Sequence, residues 1–306
     1  MPDPILIGKA FGASAAVAFV MALLFGRFSR ASVAGAGGVL ALAGAMYVGL
    51  CILGLLPHFP PREALDRLLL IVLPAALVAE LIAATSKRAG WMARATIAVL
   101  AAPALLWDSL YIADHGGPRP QVWSPVQIWL IFAALAALLM ADWTMLCRLA
   151  PRVGARTVLS CVAGTVLGAS VVIMLSGYAT GGQVGVPLAA GLGGIALGSL
   201  LATANPGTEG ALSIGLVGLF GLLMIGRLFA GLASINAGLL FTAPLLGLLP
   251  ELWPARWRVR PALRLVLVAI PVVLALALAQ HKFAADSSRP GSGTEGSLDD
   301  YTNFGK

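Results

Sequence analysis

Charge is scarce in this chain of 306 residues: only 11% are Asp, Glu, Lys or Arg, against about 25% in ordinary soluble domains. So few solvated side chains cannot cover a water-facing surface, which excludes a soluble globular fold. Histidine is limited to His58, His115 and His281, and cysteine to Cys51, Cys147 and Cys161. The cysteines show neither CxxC nor CxxCH spacing, so neither a disulfide framework nor covalently attached c-type haem is indicated. Also lacking are a GxxxxGK[ST] phosphate loop, a GxSxG nucleophile turn, an HExxH metal helix and a dinucleotide fingerprint in its strand context. No catalytic residue set is therefore assigned. The net charge of +7 comes in short basic clusters between apolar runs, not in a patch with interleaved aromatics, and nucleic acid is not an expected partner.

What the sequence has is apolar length. Hydrophobic residues make up 59% of the chain, in runs of roughly 18 to 25 residues, each able as a helix to cross about 30 Å of hydrocarbon. Continuous Ala, Leu, Gly and Val, with no ten-residue alternating strands, exclude a transmembrane barrel. The expected fold is all-α: a polytopic transmembrane helical bundle without a soluble domain. Ten spans are predicted, at roughly 4–26, 32–56, 64–84, 91–113, 123–147, 157–176, 184–203, 209–228, 232–250 and 261–280, with nine to eleven compatible with the pattern. The weakest division lies between the eighth and ninth, where GRLFAGLASIN carries a single charge and the ninth run is short. A bent or re-entrant segment is the alternative over 209–250. Residues 1–282 then form the membrane domain, and 283–306, ending in an acidic Gly/Ser-containing stretch, a flexible tail.

Basic residues orient the spans. Arg27 and Arg30, Lys87, Arg88 and Arg94, Arg148, Arg152 and Arg156, and Arg256, Arg258, Arg260 and Arg264 all fall at odd-numbered junctions. The positive-inside tendency puts those junctions in the cytoplasm and both termini outside, which requires an even number of crossings. MPDPILIGK has no small-residue cleavage site after its apolar stretch and reads as a retained first helix. The expected location is a bacterial inner (cytoplasmic) membrane. The seven tryptophans lie near span ends, as interfacial anchors do. Glycines recur four apart at Gly164 and Gly168, at Gly177, Gly181 and Gly185, and at Gly194 and Gly198. That spacing puts bare backbone on one helix face and favours close helix crossing.

Polar residues in or near the spans are the candidate sites. Glu80 and Asp142 precede basic clusters near the inner ends of spans three and five, and Arg227 is the only basic residue in the 209–250 region. Together with Asp108 at the outer end of span four, these four make a candidate proton or solute site, because ionisable side chains within membrane segments mark ion and proton paths. The bland alternative for the acids is helix-end burial relieved by salt bridges or local water. For Arg227 it is a loop position. At the outer face, His58, Asp108, Asp114 and His115 supply imidazole and carboxylate ligands for a polar or metal cluster, with separate surface histidines as the plain reading.

Two roles fit best. The first is a non-catalytic integral subunit that anchors or scaffolds a larger membrane complex, packing on other membrane subunits through glycine faces. The second is a small secondary transporter or channel for a proton-coupled or anionic solute. A lipid-modifying intramembrane enzyme ranks third, since polar residues are scattered and do not converge. No cofactor is predicted, and a noncovalent pigment, haem or lipid between helices stays open. The lipid bilayer is the one obligatory partner.

Overall fold

The computed structural model describes residues 3–28, 31–107, 109, 111–112, 123–202, 207–252 and 261–287. Among these the chain is helical throughout: α1 (Pro4–Phe28), α2 (Ala31–Leu53), α3 (Ala64–Thr85), α4 (Lys87–Leu106), α5 (Pro125–Val153), α6 (Ala155–Leu175), α7 (Ala179–Leu201), α8 (Thr208–Phe229), α9 (Ser234–Thr242) and α10 (Pro261–Ser287). All but α9 are long and apolar enough to cross a bilayer. Helices satisfy every backbone donor and acceptor internally, which hydrocarbon demands. The ends use the usual devices: Ser124 and Gln127 form a capping box at the start of α5, and Ser86 caps α4. Within α3, residues Leu68–Val72 form a single π-helical turn.

The ninth expected span is not a continuous α-helix. After α8 the chain turns through Gly231 at φ +66°, forms α9, and continues as a 3₁₀ stretch over Ala243–Leu252. A 3₁₀ helix rises about 2.0 Å per residue, so α9 and this stretch together reach about 33 Å, enough to cross. The packing agrees. Lys282 Nζ donates to Gly231 O at 3.3 Å, and Arg264 Nη1 donates to Gly247 O at 2.5 Å. Those two contacts lie about 27 Å apart along α10. The broken segment therefore runs antiparallel to α10 over nearly its whole length.

Consecutive helices alternate in direction. The ends of α1, α3, α5, α7 and the 3₁₀ stretch lie on one side with Arg27, Arg88, Arg148, Arg152 and Arg156, here termed the basic face. The α2–α3, α4–α5, α6–α7 and α8–α9 connections lie on the opposite face. At the centre stands α8, the most buried of the spanning helices, ringed by α2, α3, α6 and α7. Close approach of α7 to α1 depends on bare backbone: a Cβ at Gly194 would lie 2.4 Å from Ala15 O, and one at Gly198 would lie 3.0 Å from Phe19 O. The four-residue glycine spacing serves that crossing as expected. Gly164 faces open space, however, and Gly177 closes the α6–α7 turn at φ +96°. The rim is apolar, with Val20, Leu100, Trp129, Leu130, Leu201 and Val273 exposed where acyl chains would lie.

Candidate functional site

Five described charged residues are buried, and four of them have partners. Glu80 on α3 accepts two hydrogen bonds from Arg94 on α4, Nε to Oε1 at 2.7 Å and Nη2 to Oε2 at 2.6 Å. This fork-to-fork geometry is the strongest form of the arginine–carboxylate pair. The partner is not the nearer Lys87 or Arg88. Position 94 stands nearly two helical turns into α4, and antiparallel packing of the α3–α4 hairpin brings it level with Glu80. The guanidinium lies 5.8 Å from the centroid of the Trp143 ring, within cation–π range. Trp143 Nε1 in turn donates to Ser213 Oγ on α8 at 2.8 Å. One polar chain thus links α3, α4, α5 and α8 in the part of the bundle nearer the basic face. Gly210 on α8 permits the close approach of α2 beside this chain, since a Cβ there would lie 2.5 Å from Val39 Cγ2, with Glu80 Cβ in ordinary contact at 3.6 Å.

The other paired charges lie toward the two faces. On the opposite face, Arg67 donates to the carbonyls of Arg62 and Trp107, and Asp66 Oδ1 accepts the His58 backbone N–H at 3.1 Å. Near the basic face, Arg264 Nη2 donates to Glu251 Oε1 at 2.6 Å.

Asp142 is the exception. It is 1% exposed, and among the described residues neither carboxylate oxygen has a hydrogen-bond partner. Its position on α5 is about 25 Å from Pro125 and about 16 Å from Val153 at 1.5 Å per residue. Because α5 exceeds the 30 Å of hydrocarbon by about 13 Å, Asp142 stays inside the apolar layer wherever that layer falls along the helix. Trp143, the next residue, turns about 100° away toward Arg94 and α8, so the paired network and Asp142 occupy different faces of α5. No family model matches the chain, and no curated protein or solved structure is significantly similar to it.

The remaining sequence candidates separate. Arg227 is exposed in the last turn of α8, where its Nε donates to Ser234 Oγ at 2.8 Å. It lies at the opposite face, whereas Glu80 and Asp142 lie in the half nearer the basic one, so the structure does not gather these three into one site. Asp108, Asp114 and His115 lie outside the described residues. His58 is exposed and His281 lies exposed in the last turns of α10. Among the described residues no group of three or more His, Cys, Asp or Glu is placed to hold a metal ion. Near Glu63 and Asp66 stands Tyr178, whose phenol is pushed above its usual value by burial and by the Glu63 carboxylate. Along the chain Arg94 belongs to the same basic cluster as Lys87 and Arg88, which hides it as the partner of Glu80. The signal was there: Glu80 and Arg94 are nearly equidistant from the Ser86 turn, as hairpin partners must be.

Proposed function

We propose that this protein is a small secondary carrier that couples proton movement to a small solute, with Asp142 as the group that takes up and releases the proton. The observation that carries this reading is the contrast between Asp142 and the other buried charges. An ionised carboxylate without a partner in hydrocarbon is costly, so the side chain must be matched by a proton or by an arriving cation. A fold that pairs Glu80 with Arg94 and Glu251 with Arg264 can satisfy an acid when only structure is at stake. Leaving Asp142 unpaired fits a group whose partner comes and goes. The sequence alone ranked an integral subunit of a larger complex first. A subunit that merely anchors has no use for such an acid, and this reverses the order of the two readings.

Two measurements on the full-length protein test the reading. Dicyclohexylcarbodiimide reacts with protonated carboxyl groups in apolar surroundings, and peptide mapping is expected to find the adduct at Asp142 and not at the ion-paired Glu80. In proteoliposomes loaded with a pH-sensitive dye and supplied in turn with a panel of small solutes, a potassium diffusion potential is expected to drive solute-dependent proton entry through the wild-type protein and not through Asp142→Asn at equal abundance. Equal proton flux in both would remove Asp142 from any coupling role. A protein that carries no flux alone but extracts gently as a fixed-stoichiometry assembly with other membrane proteins would restore the subunit reading.

A further inference from the structure

On the basic face a crevice of about 210 Å³ opens between the end of α5 and the 3₁₀ stretch. Its lining is of two kinds: Met145, Leu149, Leu248 and Leu249 make apolar walls, and Arg148, Arg152 and Glu251 stand among them. Glu251 already accepts a 2.6 Å bond from Arg264, so its charge is matched within the protein. Arg148 and Arg152 are exposed and make no hydrogen bond or ion pair with any described residue. Four residues apart on one helix, their side chains leave α5 on the same side, about 6 Å apart at their bases.

We propose that this crevice is a binding site for an anionic phospholipid, with its headgroup phosphate held between Arg148 and Arg152. Guanidinium groups match phosphate oxygens in geometry and charge. The apolar walls select a lipid over a free anion. Met145 and Leu249 are exposed on the flank of the bundle, where an acyl chain leaving the headgroup would run. The depth agrees as well, since Arg148 and Arg152 lie about 7 Å and about 2 Å before the end of α5 along its axis, at headgroup level. Basic pockets between spanning helices on the positively charged side take anionic headgroups by this mechanism. Charge that only sets orientation needs neither a cavity nor apolar walls. The site is independent of Asp142 and of any transport role.

Native mass spectrometry of the purified full-length chain, with phosphatidylglycerol and phosphatidylcholine of identical acyl chains added in equal amount, tests the assignment. The wild type is expected to retain one phosphatidylglycerol in preference to phosphatidylcholine, on the order of tenfold. The double variant R148Q/R152Q is expected to lose the preference, R148K/R152K to keep part of it, and R156Q, outside the crevice, to keep all of it. Equal retention of the two lipids by the wild type overturns the proposal without recourse to any variant. So does an undiminished preference in R148Q/R152Q. Displacement of the bound lipid by millimolar inorganic phosphate would mean that the arginines take a free anion, and the lipid assignment would fall.

Discussion

Replacing each buried carboxylate by its amide separates the two acids energetically. In Glu80→Gln the bidentate pair with Arg94 is lost and the guanidinium keeps its charge in a largely buried place. Breaking a buried pair in this way costs about 3–5 kcal/mol. The Arg94 side chain is 23% exposed, against 2% for Glu80, so water relieves part of the cost and the lower end, about 3 kcal/mol, applies. Asp142→Asn is nearly the same size and removes no hydrogen bond to any described residue, because neither oxygen makes one. A neutral amide carries one more unpaired donor than a neutral acid in the same apolar surroundings, a difference of about 1 kcal/mol at the low end of the cost of such a group. The two variants should therefore differ by about 2 kcal/mol, roughly thirtyfold in the folding equilibrium. Titration of the protein in mixed micelles with dodecyl sulfate, followed by circular dichroism, reads that difference directly. Glu80→Gln combined with Arg94→Gln should recover part of the loss, since no lone charge then remains. If Asp142→Asn proved as costly as Glu80→Gln, Asp142 would have a partner, and the argument for its proton-carrying role would fail.

Two further outcomes are expected. Gly194→Ala drives a Cβ to 2.4 Å from Ala15 O and should cost about 1–3 kcal/mol, while the adjacent Gly193→Ala meets nothing within 4 Å and should change stability by no more than about 0.5 kcal/mol. Equal shifts in the same titration would mean that α1 and α7 do not cross where described. Arg227→Gln loses only an exposed bond to Ser234 and should leave stability within about 0.5 kcal/mol of the wild type, with proton flux unchanged. Loss of flux in that variant would return Arg227 to the site as a recognition residue.

The division between what the sequence determined and what the fold decided follows the range of the interactions. Composition and run length fixed the class of protein, because hydrocarbon imposes its thickness and its demand for satisfied backbone on each segment separately. The basic clusters fixed the alternation of the junctions for the same reason: each acts on its own stretch of chain. The Gly194 and Gly198 pair was readable as a crossing because a helix repeats its face every three or four residues, although the identity of the partner, α1, was not. The ninth expected span marks the boundary of that approach. Its apolar length is local, but its break into α9 and a 3₁₀ stretch is stabilised by Arg264 and Lys282, reaching across from a helix that follows later in the chain.

Charged side chains in the interior obey no local rule. Glu80 and Asp142 look alike along the sequence, each an acid in an apolar run several residues before a basic cluster. Only the folded hairpin sets Arg94 against Glu80, and only the rotation of α5 turns Trp143 toward that network and Asp142 away from it. Arg227 shows the converse: a few residues of uncertainty in where α8 ends separate a buried cation from a surface one, and the end of α8 at Phe229 puts it at the surface. The sequence by itself determined that the protein lives in a bilayer as a helical bundle, because hydrophobic transfer acts on each residue where it stands. Which of its acids has a partner was left to tertiary structure, because a partner is a fact about two helices and their angle.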